Sequence, residues 1–275
     1  RGSANALKQH SNGSFGATTF NNDLQLNLQT SFTGQDQLIS VLRAGNFNAD
    51  NNVFGGAGPT NFSTLETAFQ EGDKPNQLTI DKLFYSFPIG SQLTVTAGPR
   101  VGQEDMLAIW PSFYPSDAIL DVLTLNGAPA AYNKNLGVGA GIRWDEPTGF
   151  RLAANYVAAN GSTSTTSEGG LATTHAGSTG TVQMGYAREA WSVAAIYTAI
   201  QNGDDLITYA SPFTQASLNT KGMTHAFGLG GSWQVLDERW IPSISTGWGI
   251  NVSDASHNGD VQTSQSWTAG LEWNN

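Results

Sequence analysis

The chain has 275 residues, 12% of them charged, with 32 glycines, 8 tryptophans, 13 phenylalanines and no cysteine. Its 22 acids against 12 lysines and arginines give a net charge of −10, which argues against the basic surface that nucleic acid demands. The lack of cysteine removes disulfides, thiol nucleophiles and CxxC metal sites together.

Charge at this level is about half that of an ordinary soluble domain, yet the hydrophobic share is only 39%, so the sequence suits neither a soluble domain nor a bundle of membrane helices. The longest nearly apolar run, WSVAAIYTAI from Trp191 to Ile200, falls far short of the roughly 20 residues of a spanning helix and matches a spanning strand. The opening RGSANALKQH carries no apolar region of the signal-peptide kind. An exported protein beginning here is expected to be a processed form or a fragment.

Period-two alternation starts with Leu24, Leu26 and Leu28 on one face and Asp23, Gln25, Asn27 and Gln29 on the other, which predicts a strand with one apolar face. Leu83, Tyr85 and Phe87 follow, then Leu93, Val95 and Ala97 after the turn PIGSQ. The clearest pair is Leu136, Val138, Ala140, Ile142 and Trp144, then Phe150, Leu152, Ala154 and Tyr156 after DEPTG. Val182, Met184 and Tyr186 come next, then Trp191, Val193, Ala195 and Tyr197. Phe227, Leu229 and Trp233, then Ile244, Trp248 and Ile250, and finally Trp267, Ala269, Leu271 and Trp273 complete the series. The pattern predicts about eleven strands, most of about nine to eleven residues, the length that spans a bilayer when tilted.

Connections alternate in length. Short ones fall at PIGS, DEPTG, AREA and VLDER, and long polar ones run from Phe47 to Phe62, Asn160 to Gly180, Gln201 to Gly222 and Ser253 to Ser264. That asymmetry belongs to outer-membrane barrels. The low-complexity run GSTSTTSEGGLATTHAGSTG is expected to be mobile. Trp144, Trp191, Trp233, Trp240 and Trp273 lie at strand ends, where interfacial girdles place aromatics.

The fold class expected is all-β, a transmembrane antiparallel β-barrel. A soluble β-sandwich that stacks glycans on its tryptophans is the alternative. Long strands and an uncharged polar face count against it, since soluble strands average five to six residues. In a barrel, a base facing lipid at mid-depth costs about 2 to 4 kcal/mol. Lys82, Arg143 and Arg151, out of phase with their apolar neighbours, should therefore point inward. Ile39 and Val41 share the phase of Arg43 and leave its direction open.

One segment breaks the pattern. From Arg100 to Tyr132 the chain carries Glu104, Asp105, Asp117 and Asp121 with Trp110, Phe113, Tyr114 and the prolines Pro111 and Pro115. It is too apolar for a mobile outer loop and too proline-broken for a strand. The economical reading is an inward-folded constriction loop. Met106 to Trp110 packs on the inner wall, and the four acids with Arg100 narrow a pore opposite Lys82, Arg143 and Arg151, as ion-selective rings do. An outer loop capping a subunit contact fits the same spacing.

Other motifs carry less. Gly137, Gly139 and Gly141 leave room in a lumen, and no helix follows them as dinucleotide binding requires. His10, His175, His225 and His257 lack metal-ligand spacing. Asn48, Asp50, Asn51 and Asn52 depart from the EF-hand order and read as a solvated loop. HExxH, Walker A and GxSxG are absent from the sequence, so neither an enzyme nor a cofactor nor a metal centre is expected.

The run IDKLFYSFPIGSQLTVTAGPRVGQEDMLAIWPSFYPSDAILD, preceded by LNLQTSFTGQDQLISVLRAGNF, resembles the major outer-membrane porins of cyanobacteria, relatives of the carbohydrate-selective porins. The resemblance implies a sixteen-stranded barrel in the outer membrane, assembled as a homotrimer, that passes inorganic ions, iron among them, and small hydrophilic solutes. It also implies an N-terminal S-layer-homology domain and coiled stalk that tether the barrel to peptidoglycan. Residues 1–275 are accordingly expected to form a single barrel domain, incomplete at both ends. No S-layer-homology domain precedes Arg1, and the ending Glu272, Trp273, Asn274, Asn275 leaves about four or five closing strands unaccounted for.

Overall fold

A computed structural model describes residues 17–58, 63–112, 114, 116–117, 120–203, 222–234, 242–254 and 262–273. The alternating segments form eleven strands: β1 (Asp23–Thr30), β2 (Gln37–Gly45), β3 (Thr79–Ile89), β4 (Leu93–Gly102), β5 (Leu136–Asp145), β6 (Phe150–Ala158), β7 (Ser178–Ala187), β8 (Trp191–Gln201), β9 (Met223–Trp233), β10 (Ser243–Ser253) and β11 (Thr263–Glu272). Each pairs antiparallel with the next, giving one sheet in sequential order rather than the two facing sheets of a sandwich. Among the described residues β1 and β11 are edge strands, each with a single partner.

Register carries the apolar face unbroken across the sheet. Val95 stands opposite Ile142, Ile142 opposite Ala154, Ala154 opposite Val182, Val182 opposite Tyr197, Tyr197 opposite Phe227 and Phe227 opposite Ile250. A slip of one residue in any strand would turn its apolar set to the other side. This face is bare: Ile142 is 49% exposed, Val182 55% and Leu229 53%. The opposite face carries polar side chains and is covered, with Gln183 at 1% and Thr198 at 0%. Apolar groups outside and polar groups inside invert the arrangement of a soluble protein and match a sheet whose outer solvent is lipid. Among the described residues no helix is long and apolar enough to cross a membrane.

The short connections fall at one edge of the sheet and the long ones at the other, as an antiparallel meander requires. The VLDER turn, Trp240, Phe113, Pro115, His10 and His257 lie outside the described residues, as do 204–221 and 255–261 within two of the long connections. The 160–180 loop, expected to be mobile, is laced by side-chain hydrogen bonds. Asn160 donates to the carbonyls of Glu168 (2.9 Å) and His175 (3.0 Å) and accepts from the Gly177 amide (2.8 Å). Gln201 adds a bond to the Thr173 carbonyl (2.7 Å). Backbone groups of this run of small polar residues thus find side-chain partners.

Regular pairing fails between Val41 and Leu42, between Leu83 and Tyr85, and between Gly98 and Val101. The first two lie on either side of β3, and the third lies between β4 and β5, beside the point where the chain leaves β4 for the 103–135 segment. Such bulges re-aim side chains. Here both Asp81 and its neighbour Lys82 form ion pairs with groups on the inner face.

Candidate functional site

The covered face is covered by residues 103–135. Gln103, wholly buried, fastens the start of this segment to its end and to the wall. Its backbone amide donates to the Asn135 carbonyl (2.9 Å), and its side chain donates to the Ala131 carbonyl (2.9 Å) and the Thr181 hydroxyl (2.8 Å). Its side-chain oxygen accepts from the Lys134 amide (3.1 Å). From the wall, Gln183 accepts from the amides of Ala108 and Ile109 (3.0 Å each) and donates to the Ile109 carbonyl (2.7 Å). One glutamine thereby satisfies three backbone groups of a buried, non-helical stretch that would otherwise be costly.

Apolar packing follows. Met106 joins Phe84, Val101 and Val157; Leu107 joins Tyr132, Ile196, Ile200 and Ala226; Ala108 and Ile109 join Ala153 and Ala194. The expected packing of Met106 to Trp110 on the inner wall is therefore what the structure has. Trp110 meets Tyr132 edge to face at 5.2 Å. Further along, Ser245 bonds Ser112 (3.0 Å) and Ser266 donates to the Gly127 carbonyl (2.8 Å), so the segment lies across the inner face as far as β11.

Glycines in the wall are seats for this segment. A Cβ on Gly141 would stand 2.9 Å from the Met106 sulfur, one on Gly185 2.7 Å from Ile109, and one on Gly247 would overlap the Asn126 carbonyl. The room that alternate glycines were expected to leave in a lumen is, on β5, filled by Val101 and Met106.

The charged groups gather where the segment begins. Lys82 holds Glu104 (2.6 Å) and Asp105 (2.8 Å) at once, and the Asp105 carboxylate also accepts from the Gly102 amide (2.9 Å). Arg43, whose direction sequence left open, pairs with Asp23 (2.6 Å) and Asp81 (3.6 Å). Lys134 pairs with Glu66 (2.9 Å) and Asp121 (3.6 Å). Arg43, Glu66, Asp81, Lys82, Glu104 and Asp117 line a cavity of about 220 Å³ on the long-connection side. Burial raises the Glu104 carboxyl, opposed by Lys82 and reinforced by Asp105. Burial, with the Glu66 carboxyl alongside, pushes Asp121 up to about 9 against the pull of Lys134.

Of the residues singled out from sequence, Lys82, Glu104 and Asp105 meet directly. Asp117 shares their cavity, and Asp121 joins a neighbouring network through Lys134. Arg100 turns instead to the Asp81 carbonyl (2.7 Å). Arg143 bonds Asp145 (2.8 Å), and Arg151 reaches the Ala108 carbonyl (3.3 Å) and Asp145 (3.5 Å). Both lie on the inner face, as phase predicted, but near the short turns. Sequence reasoning passed over Asp23, Glu66, Asp81, Lys134, Gln103 and Gln183. The two glutamines had a signal, being large polar groups at inward positions. Asn48 and Asn52 serve the local turn: Asn48 accepts from the Asp50 amide (2.8 Å) and Asn52 from those of Phe54 and Gly55. Among the described residues no three His, Asp or Glu side chains converge as a metal site.

No family model matches the chain, and no curated protein matches it. Solved structures do. The high-pH structure of Pseudomonas putida OprB superposes with a TM-score of 0.54 at 13% identity, over 91% of this chain and 64% of that one. A mutant of the Rh. blastica porin gives 0.44 at 10% identity, over 92% of this chain and 75% of that one. This chain spans 64% of the length of the OprB chain. What it shares with OprB is the fold, an antiparallel all-β sheet of the porin type.

Proposed function

We propose that this chain forms the wall and constriction of an outer-membrane porin, a passive channel for inorganic ions and small hydrophilic solutes rather than an enzyme. The observation that carries the reading is the inverted sheet, apolar outside and polar inside, with residues 103–135 folded onto its inner face. In this reading residues 1–275 belong to one barrel domain, and further strands close it to the sixteen implied by the cyanobacterial resemblance. Copies associate as a homotrimer in the lipid bilayer of the outer membrane, and an N-terminal domain outside this sequence tethers them to peptidoglycan.

The constriction is the strip where Glu104 and Asp105 meet Lys82, with Asp117, Asp121 and Arg100 around it and Arg143 and Arg151 toward the short turns. Two carboxylates share one ammonium there, and the cavity beside them is lined by the acids Glu66, Asp81, Glu104 and Asp117 against the bases Arg43, Lys82 and Lys134, so acids outnumber bases by one and the local field favours cations. Reversal potential across a planar bilayer under a salt gradient tests this. Wild-type protein is expected to be cation-selective, and the Glu104→Gln/Asp105→Asn double variant less so. An unchanged reversal potential in the double variant would refute their role.

A further inference from the structure

On the short-turn side of Glu104–Met106 lies a second inner-face cavity, of about 350 Å³. Gln37, Ser86, Thr94 and Thr96, from β2, β3 and β4, line it with amides and hydroxyls. Of its lining residues only Asp105 and Arg143 are charged. Met106 sits over Gly141, and Arg143 follows two residues later on β5, about 7 Å along the strand. Since Asp105 adjoins Met106, an acid from the loop and a base from the wall border one cavity.

Arg143 is open to a solute, and Asp105 borders the cavity with its side chain 19% exposed. The Arg143 side chain is 42% exposed and bonds Asp145 through Nε, which leaves its terminal nitrogens for a carboxylate. Asp105 shares the single Lys82 ammonium with Glu104, so this end of the cavity is the acidic one. A simple cation is attracted at one end and repelled at the other, and a simple anion likewise. A solute bearing both charges is attracted at both ends. A molecule with its ammonium and carboxylate on the same or adjacent carbons can offer a charge-assisted hydrogen bond to each.

We propose that this cavity is a transit subsite for small zwitterions of the amino-acid type. The proposal rests on the channel reading above and names a solute class for it. Contact with partly exposed charges is weak, which suits passage, since a channel must release what it attracts.

Swelling of liposomes carrying the full-length protein tests it with two isomers, zwitterionic alanine and uncharged lactamide. Alanine is expected to enter about threefold faster, a ratio in keeping with weak, partly screened ion pairs. The ratio should fall to near one in Arg143→Gln and return in Arg143→Lys. Equal rates in the wild type overturn the subsite and leave the channel standing. A ratio unmoved by Arg143→Gln overturns its assignment to this cavity. No swelling with either solute overturns the channel reading itself.

Discussion

Lys82 shows how much of this site depends on one group. Its ammonium holds two carboxylates, and removing one partner of a buried ionic cluster leaves the others uncompensated. Lys82→Met is expected to lower stability by about 3 kcal/mol, read from denaturant unfolding in detergent, and Lys82→Met combined with Glu104→Gln and Asp105→Asn to recover most of it. Asp121 has the opposite pH logic from a surface acid. Its pKa stands at about 9 in the folded chain against 3.8, so between these values the folded state holds a proton that the unfolded state has lost. Stability contributed by this group is full below pH 4 and declines as pH rises toward 9. Asp121→Asn should flatten that decline in a series of thermal midpoints from pH 4 to 9; an unchanged slope would remove Asp121 as its source.

At the scale of elements, the 103–135 segment and the wall are cut to each other. Gly247→Val would drive side-chain atoms into the Asn126 backbone, and overpacking of this kind costs about 1 to 3 kcal/mol. Gly180, with open space around its Cβ position, provides the control: Gly180→Ala should change the unfolding midpoint little, whereas Gly247→Val should lower it clearly. Strands were legible because each turns its apolar side chains to one exposed face, so alternation survives from Leu24 to Trp273. The packing of Met106 to Trp110 was legible because so apolar a stretch cannot remain in a polar loop. The pairing of charges was not. Asp81 reaches Arg43 beside a pairing irregularity in β2 and β3, and Lys134 reaches Glu66 through the path of two loops, neither of which a period of two encodes. Phase likewise gave the inward direction of Arg143 and Arg151, but not their partner Asp145, which ends β5 at a short turn.

At the scale of the whole molecule, one sheet serves two solvents. Its bare face exposes Val182, Leu229 and Trp248, as the proposed lipid contact requires, and its inner face offers amides, hydroxyls and a folded-in loop. The inner loop is held by buried hydrogen bonds at Gln103 and Gln183 and by apolar contacts from β3 to β9. In the proposed channel it would act as a fixed restriction with solutes passing beside it. The central claim is that this loop borders the conduction path. Because the chain has no cysteine, Asp117→Cys gives a single reactive site at an exposed, cavity-lining position. The measurement is single-channel current of that variant in a planar bilayer before and after a bulky, charged thiol reagent is added. The account predicts a stepwise fall in conductance on modification, with no change in the wild type. Full labelling of Cys at this position with an unaltered current would contradict it.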